Sequence, residues 1–430
     1  MENSKEVIET VQWSNPKKIG FRFLFIYISV FIVIVNNGAY PFWYYVMEWP
    51  NKWLQMFIPW VGKNILNLSD DITVFTNGSG DTTYDYVIQL CILTIAVFCT
   101  LIWTLLDRKW KNYSKLYYWL TTGVRYYIAL MLISYGMYKV IQLQFSPADV
   151  YRLEQMYGDS SPMGLAWTFL GLSKGYNMFM GIAELAAGLL LFRRTVTVGA
   201  IITLMTTANV MAVNYFYDVP VKIVSTHLVL LTLFLLSKDI KKLIKLFFKG
   251  ESISLTKIQR PDFKPSWINK VLLGFKVLIL GNILYGVTDF LDMEKQFGLK
   301  APKPNMYGLY NVTDFVINGD TITNYKDERL WRSIAVQREG SLRISKFDGK
   351  RSTYYGVEKD SLKDVLKLKS WSDEDIKFDL NYKKIDSLQF EFNTIIDSDT
   401  IYVKTKRKTV KDFLLRSREF RWISEYPFNR

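Results

Sequence analysis

Apolar residues in the first two thirds of the chain are grouped in seven long stretches. A helix needs roughly 20 mostly apolar residues to cross the hydrocarbon core of a bilayer. The stretches approach or reach this length, and they are too long for ordinary buried strands. They cover Phe21–Val35 (extended to Tyr40), Tyr86–Leu106, Val124–Leu143, Tyr176–Phe192, Val196–Phe216, Val221–Leu236 and Val271–Val287. The pattern predicts an α-helical integral membrane protein with about seven transmembrane helices.

Lysine and arginine are concentrated beside alternate ends of these stretches. Their clusters are Lys17, Lys18 and Arg22; Arg108, Lys109, Lys111 and Lys115; Arg193 and Arg194; and Lys238, Lys241, Lys242, Lys245 and Lys249. Short loops rich in lysine and arginine stay in the cytoplasm. With seven spans, all four clusters fall on one side. We therefore predict a cytoplasmic N-terminus and an extracytoplasmic C-terminal region. No small-residue cleavage site follows the first stretch, so we expect it to be a retained anchor.

From about Ala301 onward, apolar and polar residues alternate with a period of two. The alternating runs are Leu330–Gln337, Leu342–Phe347, Ser352–Glu358, Ile376–Leu380, Ser387–Thr394, Thr400–Thr405 and Phe413–Arg416. Short strands joined by tight turns predict an antiparallel all-β domain, built as a small barrel or a sandwich. A barrel of this size holds an apolar ligand or fills its interior with its own side chains.

The amino-acid composition limits the partners and the reactions expected of this protein. The net charge of +14 is largely the basic flanks of the apolar stretches, and no base-contacting module accompanies it, so we predict no nucleic-acid partner. The two cysteines, Cys91 and Cys99, form no C-x-x-C motif, which argues against dithiol exchange by this chain alone. The single histidine, His227, excludes a two-histidine haem and a histidine-rich metal cluster. We predict no metal site, and whether the protein is an enzyme stays open.

Arg125, Lys139 and Glu184 are ionisable residues within apolar stretches. Arg125 and Lys139 are fourteen positions apart, so they share a helix face, and either could reach headgroups with its long side chain. Glu184 lies near the middle of its stretch, where a carboxylate must be neutral or paired. We expect a cationic partner and favour Lys139 over Arg125. Gly181 and Gly188 flank Glu184 on one face and predict a tight helix–helix contact.

Further polar side chains occur in the next two apolar stretches. Asn209 and Asn214 lie in the fifth, and His227 lies in the sixth. They can donate hydrogen bonds to Glu184 or to a bound headgroup, and the histidine is either a satisfied interhelical bond or a proton carrier. The candidate buried polar cluster or ligand site is therefore Arg125, Lys139, Glu184, Asn209, Asn214 and His227.

Two motifs resemble a known family. Arg125 is followed by Gly136 and Lys139 with the spacing R-x(10)-G-x-x-K, and Glu184 lies in the run GIAELAAGLLL. Together they resemble the DoxX family of small bacterial membrane proteins, over Arg125 to about Leu236. The ending, residues 418–430, resembles the close of longer DoxX-like proteins. The resemblance implies a four-helix bundle in the bacterial inner membrane, with Arg125, Gly136, Lys139 and Glu184 as the family positions. Some members are subunits of quinone-linked oxidoreductases, so a quinone is the cofactor that the resemblance suggests.

These observations divide the chain into four predicted regions. Residues 1–120 form a two-span region with a long aromatic outer loop, and residues 121–237 form the DoxX-like four-helix bundle. Residues 238–290 hold a cytoplasmic amphipathic segment and the seventh span, and residues 291–430 form the extracytoplasmic β domain.

Three functions are compatible with this organisation. The first is a non-enzymatic envelope assembly or partner-binding factor acting through the outer β domain. The alternatives are a membrane subunit of a quinone-linked oxidoreductase complex and a lipid or small-molecule transporter. Membrane lipids and other membrane or envelope proteins are the expected partners.

Overall fold

The computed structural model describes residues 12–74, 78–107, 109–256, 267–347, 352–360, 364–373, 375–418 and 420–429. Arg108 of the second basic cluster lies outside the described residues, as do Glu419 and Arg430 of the C-terminal segment that resembles longer DoxX-like proteins. The chain divides into two compact units. One is Met1–Gln144 with Gly175–Met293, and the other is Phe145–Lys174 with Glu294–Arg430.

The first unit is helical, and the described part of the second contains the sheet with three short helices. In chain order the helices are α1 (Asn15–Ile34), α2 (Trp43–Asn64), α3 (Thr83–Leu106), α4 (Ser114–Val140), α5 (Val150–Glu154), α6 (Pro162–Leu172), α7 (Lys174–Leu185), α8 (Val196–Phe216), α9 (Lys222–Leu236), α10 (Ile240–Lys249), α11 (Trp267–Phe297) and α12 (Leu414–Ser417). A 3₁₀ helix, Ala186–Leu191, continues α7. Each of the seven apolar stretches is helical over most of its length.

Within the described residues, three helices are long and apolar enough to cross a membrane, namely α3, α8 and α11. Helices α9 and α10 together make a fourth candidate, although the chain bends by 81° between them. These helices are compatible with a membrane protein. The count of seven spans stays a prediction.

The start of α9 is capped by an acid from a distant loop. The carboxylate of Asp81 accepts hydrogen bonds from the backbone N–H groups of Lys222 at 2.6 Å and Ile223 at 2.9 Å. The first N–H groups of a helix have no partner within the helix, and their positive end attracts an anion. This contact therefore ties the loop before α3 to the start of α9.

The second unit contains nine antiparallel strands in its described part. They are β1 (Gly308–Ile317), β2 (Asp320–Thr321), β3 (Trp331–Val336), β4 (Ser341–Lys346), β5 (Ser352–Asp360), β6 (Val365–Ser370), β7 (Lys377–Lys384), β8 (Gln389–Ile396) and β9 (Asp399–Lys408). From β3 to β9 each strand pairs with the next, β1 pairs with β3, and β9 pairs back with β1. Strands β1 and β3–β9 therefore form a closed antiparallel barrel of eight strands, and β2 forms a short hairpin with β1.

Six of the seven alternating runs become strands, and one prediction is wrong. Residues Phe413–Arg416 are not a strand, because Leu414–Ser417 is a single helical turn preceded by a 3₁₀ turn. Thr409 and Asp412 form a capping box there, which favours a helical start over an extended chain. Three strands, β1, the two-residue β2 and β6, were not predicted. The alternation in β1 is interrupted by a bulge between Val312 and Asp314, and β6 alternates over only a few residues.

The interior of the barrel is filled by its own side chains. Inward residues from around the barrel pack into one apolar cluster that includes Tyr310, Phe315, Ile334, Leu342, Leu380, Phe392 and Val403. An eight-stranded barrel is just wide enough to be filled in this way. Burial raises the pKa of Tyr310 to about 12, and its hydroxyl donates a hydrogen bond to the carbonyl oxygen of Met306 at 2.9 Å. Of the two alternatives for the interior, the structure has the packed core.

One segment from between the predicted bundle helices packs against the outside of this barrel. In α5, Glu154 forms an ion pair with Arg343 and accepts a hydrogen bond from Ser333. The guanidinium of Arg343 also lies 4.6 Å from the centre of the Tyr151 ring. Burial raises the pKa of the Tyr151 hydroxyl, which donates to the carbonyl oxygen of Ala335 at 3.3 Å. This segment lies within the predicted four-helix region 121–237, but in the structure it belongs to the barrel unit.

The packed interior predicts a contrast between two side chains of β8. Phe392 is fully buried, whereas Ile395 is 65% exposed. We expect Phe392→Ala to destabilise the barrel by about 3–5 kcal/mol through lost burial and a cavity. Ile395→Ala, the control, is expected to change stability by less than about 0.5 kcal/mol. Hydrogen–deuterium exchange of peptides from β8 and β9 in the full chain measures both, and equal protection in the two variants would contradict the packed interior.

Candidate functional site

Helices α4 and α7 touch through their backbones at two glycines. A Cβ atom on Gly136 would lie 2.8 Å from the Gly181 carbonyl oxygen, and one on Gly181 would lie 2.7 Å from the Gly136 carbonyl oxygen. Neither distance leaves room for a side chain. Glycine at both positions therefore allows the two helices to approach closely, as small residues do between membrane helices.

This contact aligns the two ionisable side chains. Lys139 and Glu184 each lie three positions after one of the glycines, on the same helix face as that glycine. The Lys139 Nζ is 2.7 Å from Oε1 and 2.8 Å from Oε2 of Glu184, and the two side chains are 6% and 2% exposed. Both carboxylate oxygens are thus engaged by one ammonium group. This is the partner that the sequence analysis favoured for Glu184.

Such a pair has a definite electrostatic character. Removing two charges from water is costly, and only their mutual attraction and hydrogen bonds offset that cost. Lys139 Nζ also lies 5.8 Å from the centre of the Tyr135 ring, whose electron-rich face favours a cation. The ion pair holds α4 against α7. Without either side chain, the charge of the other would be buried with no partner.

Arg125 makes a different contact. It is buried, and its Nε donates a hydrogen bond of 2.7 Å to the carbonyl oxygen of Leu190 in the 3₁₀ helix that follows α7. Lys139, fourteen residues later on α4, pairs with Glu184. The two cations on this face of α4 therefore hold two successive parts of the same neighbouring segment.

His227 belongs to a separate group of polar residues. Its Nδ1 lies 2.7 Å from the Ile223 carbonyl oxygen, which can only accept, so Nδ1 carries the hydrogen. The Nε2 atom lies 2.7 Å from the Tyr27 hydroxyl, which also accepts a hydrogen bond from Gln89. The imidazole ring stacks on Phe31 at 3.9 Å. Both ring nitrogens are occupied, so the structure does not join His227 to Glu184.

The two asparagines are also apart from the ion pair. The Asn214 amide is buried and donates a hydrogen bond of 3.3 Å to the Val221 carbonyl oxygen, which fastens the turn between α8 and α9. Asn209 is on the exposed face of α8. Of the six candidate residues, the structure therefore brings together only Lys139 and Glu184.

The partners of His227 were not predicted from the sequence. Tyr27 is 200 residues away along the chain and Gln89 is on a third helix, α3. The one available signal is a polar glutamine inside an otherwise apolar stretch. Gln89 carries no charge, so it is a weaker signal in the sequence than Glu184, although a half-buried amide also needs hydrogen-bond partners.

Comparison with known proteins adds one relative. A segment of 124 residues, 29% of this chain, is 36% identical to the uncharacterized protein YwoB of Bacillus subtilis (strain 168) and covers 79% of it. The chain belongs to the YwoB family. Membership of the YwoB family assigns no activity, because YwoB itself is described as uncharacterized. No family model matches the chain, and no solved structure matches it. The resemblance to the DoxX family stays a prediction.

The buried pair predicts a non-additive response to mutation. Glu184→Gln leaves the Lys139 ammonium buried without its partner, so we expect a loss of about 3–5 kcal/mol in the free energy of unfolding. Adding Lys139→Met removes the stranded charge and should restore part of that loss. Unfolding of the purified protein in mild detergent, followed by circular dichroism, measures the single and the double variant.

The surface pair Lys52–Glu48 is the matched control. Its side chains are 60% and 45% exposed at a separation of 3.1 Å, and Glu48→Gln should cost about 0–1 kcal/mol. If the double mutant is less stable than Glu184→Gln alone, Lys139 and Glu184 are not coupled.

Proposed function

We propose that this protein is a non-enzymatic partner-binding factor of the bacterial envelope. Its helices anchor it in the inner membrane, and its C-terminal barrel unit lies outside the cytoplasm and binds an envelope protein. The observation that carries the proposal is a run of exposed aromatic and apolar residues after α12. Phe420, Trp422, Ile423 and Tyr426 are 77%, 91%, 77% and 84% exposed.

Exposure of this kind supports a binding role. Tryptophan, tyrosine and arginine contribute most of the binding energy at protein interfaces, because they bury large areas with few rotatable bonds. Large apolar side chains clustered on a surface are unfavourable in water unless something covers them. The segment also contains Arg421, so it combines the residue types that interfaces use.

The packed barrel supports the same proposal. Tyr310, Phe392 and Val403 occupy the interior, so a partner of this unit would bind on its outside. The outer surface is where sequence-distant residues such as Glu154 and Arg343 already meet. We therefore propose that the barrel is a rigid platform and that the segment 420–428 is its binding element.

The quinone-linked alternative has less support. It would require Glu184 or His227 to exchange protons with a bound quinone. Both oxygens of Glu184 are engaged by Lys139, and both nitrogens of His227 are engaged by Tyr27 and Ile223. These contacts support a structural role for the polar residues of the helical unit.

Site-specific crosslinking in living cells tests the binding role. We expect p-benzoylphenylalanine at position 422 of the full chain to form a protein adduct of discrete size, because Trp422 is central in the exposed run. The same amino acid at Tyr325, which is 71% exposed elsewhere in the barrel unit, serves as the control and should not form that adduct. Phe420→Ala should weaken the adduct at 422. Adducts to lipid alone, or none at 422, would contradict a protein partner.

Sidedness is tested separately with two matched serines. In a chain with Cys91 and Cys99 replaced by serine, Ser387→Cys in the exposed β7–β8 connection should react with a membrane-impermeant maleimide applied outside the inner membrane. Ser237→Cys, exposed beside the fourth basic cluster, should react only after the membrane is opened. The reverse labelling pattern would overturn the proposed location of the barrel.

A further inference from the structure

A pocket of about 330 Å³ lies in the helical unit beside the first half of α4. Its walls come from α4, from the end of the 3₁₀ helix that follows α7 and the chain just after it, from the first turns of α11, and from Tyr40 between α1 and α2. Tyr118, Trp119 and Tyr126 form an aromatic side, and Leu191, Leu272, Leu273 and Phe275 are among its apolar residues. The pocket is therefore mostly apolar, with a small number of polar groups.

Three of those polar groups are cations. Arg125, Arg193 and Lys276 line the pocket, and no aspartate or glutamate is among its described lining residues. Arg125 is 2% exposed. Its Nε is bound to the Leu190 carbonyl oxygen, but within the described part of the chain its two terminal nitrogens have no hydrogen bond or ion pair. The same part of the chain supplies no carboxylate partner to Arg193 or Lys276.

This arrangement is costly without an anion. A guanidinium that cannot lose its proton and is withdrawn from water needs a compensating charge. A second arginine and a lysine beside the same pocket add repulsion and supply further donors. Three cations that line one pocket, with no acid among its described lining residues, are suited to bind an external anion.

We propose that this pocket binds the phosphate of an anionic phospholipid headgroup, with part of an acyl chain along its apolar walls. Guanidinium groups match phosphate oxygens in charge and in geometry, and Leu272, Leu273 and Phe275 provide a surface for hydrocarbon. The predicted orientation places Arg193 in a cytoplasmic loop. Anionic lipids are enriched in the cytoplasmic leaflet, and basic pockets between membrane helices bind their headgroups. This proposal does not depend on the binding role of the barrel unit.

Adjacent arginines provide a matched test. Arg193 lines the pocket, and Arg194, which is also exposed, is not among its lining residues. Binding of short-chain phosphatidylglycerol, short-chain phosphatidylcholine or inorganic phosphate to the detergent-purified full chain is measured from the rise in melting temperature. We expect phosphatidylglycerol to bind at least tenfold more tightly than phosphatidylcholine. Arg193→Gln and Lys276→Gln should each weaken phosphatidylglycerol binding about tenfold, as expected for one lost charge-assisted hydrogen bond. Arg194→Gln should change it less than twofold.

Each other outcome overturns the proposal. Equal binding of phosphatidylcholine would exclude recognition of the anionic headgroup. Inorganic phosphate that stabilises the protein as much as the lipid would assign the pocket to a free anion. Equal losses in Arg193→Gln and Arg194→Gln would mean that the lipid responds only to the overall basic surface. Arg193 and Lys276 are exposed, so their variants should fold normally and give a usable comparison.

Discussion

The contact between α4 and α7 is the constraint on which the polar interior of the helical unit depends. Two glycines allow the helix backbones to touch, and that closeness brings the Lys139 ammonium within 2.8 Å of both oxygens of Glu184. A buried ion pair is stable only when its geometry is good. Removing the two charges from water is costly whatever their separation, whereas their attraction offsets that cost only at close range. The stability of this ion pair therefore depends on the close packing of the two helices. The same segment also accepts a hydrogen bond from Arg125 at Leu190, so α4 holds its neighbour at two levels.

The barrel unit depends on strand pairing and on its packed interior. Its interior is closed by the pairing of β1 with β9 and filled by large side chains such as Phe315 and Phe392. Its outer surface is partly covered by α5, whose Glu154 meets Arg343 and Ser333 on neighbouring strands. The side chains of the described strands pack together in the barrel interior, so we consider its surface and the exposed segment around Trp422 as the places for a partner.

The helical unit presents two contrasting classes of buried polar side chain. Lys139 and Glu184 neutralise each other, and His227 is satisfied by Tyr27 and Ile223. Arg125 is equally buried, but only its Nε has a partner among the described residues. Internally satisfied groups stabilise the protein, whereas an incompletely satisfied buried cation indicates a ligand. By this criterion the polar residues Lys139, Glu184 and His227 are structural, whereas Arg125 belongs to the pocket that we assign to a phosphate headgroup.

Much of the local structure was predictable from the sequence alone. The seven apolar stretches are helical, six alternating runs are strands, and the i+3 relation of Gly181 to Glu184 indicated a tight contact beside a paired acid. These features depend on the 3.6- and 2-residue periods of helices and strands, which neighbouring residues specify. Tertiary structure decided the rest. It joined Tyr27 to His227 across 200 residues, placed Glu154 on the barrel, closed β9 on β1, and left Arg125 facing a pocket. Such pairings depend on how whole elements pack, and a periodic pattern within one element carries no information about which distant side chain will meet it.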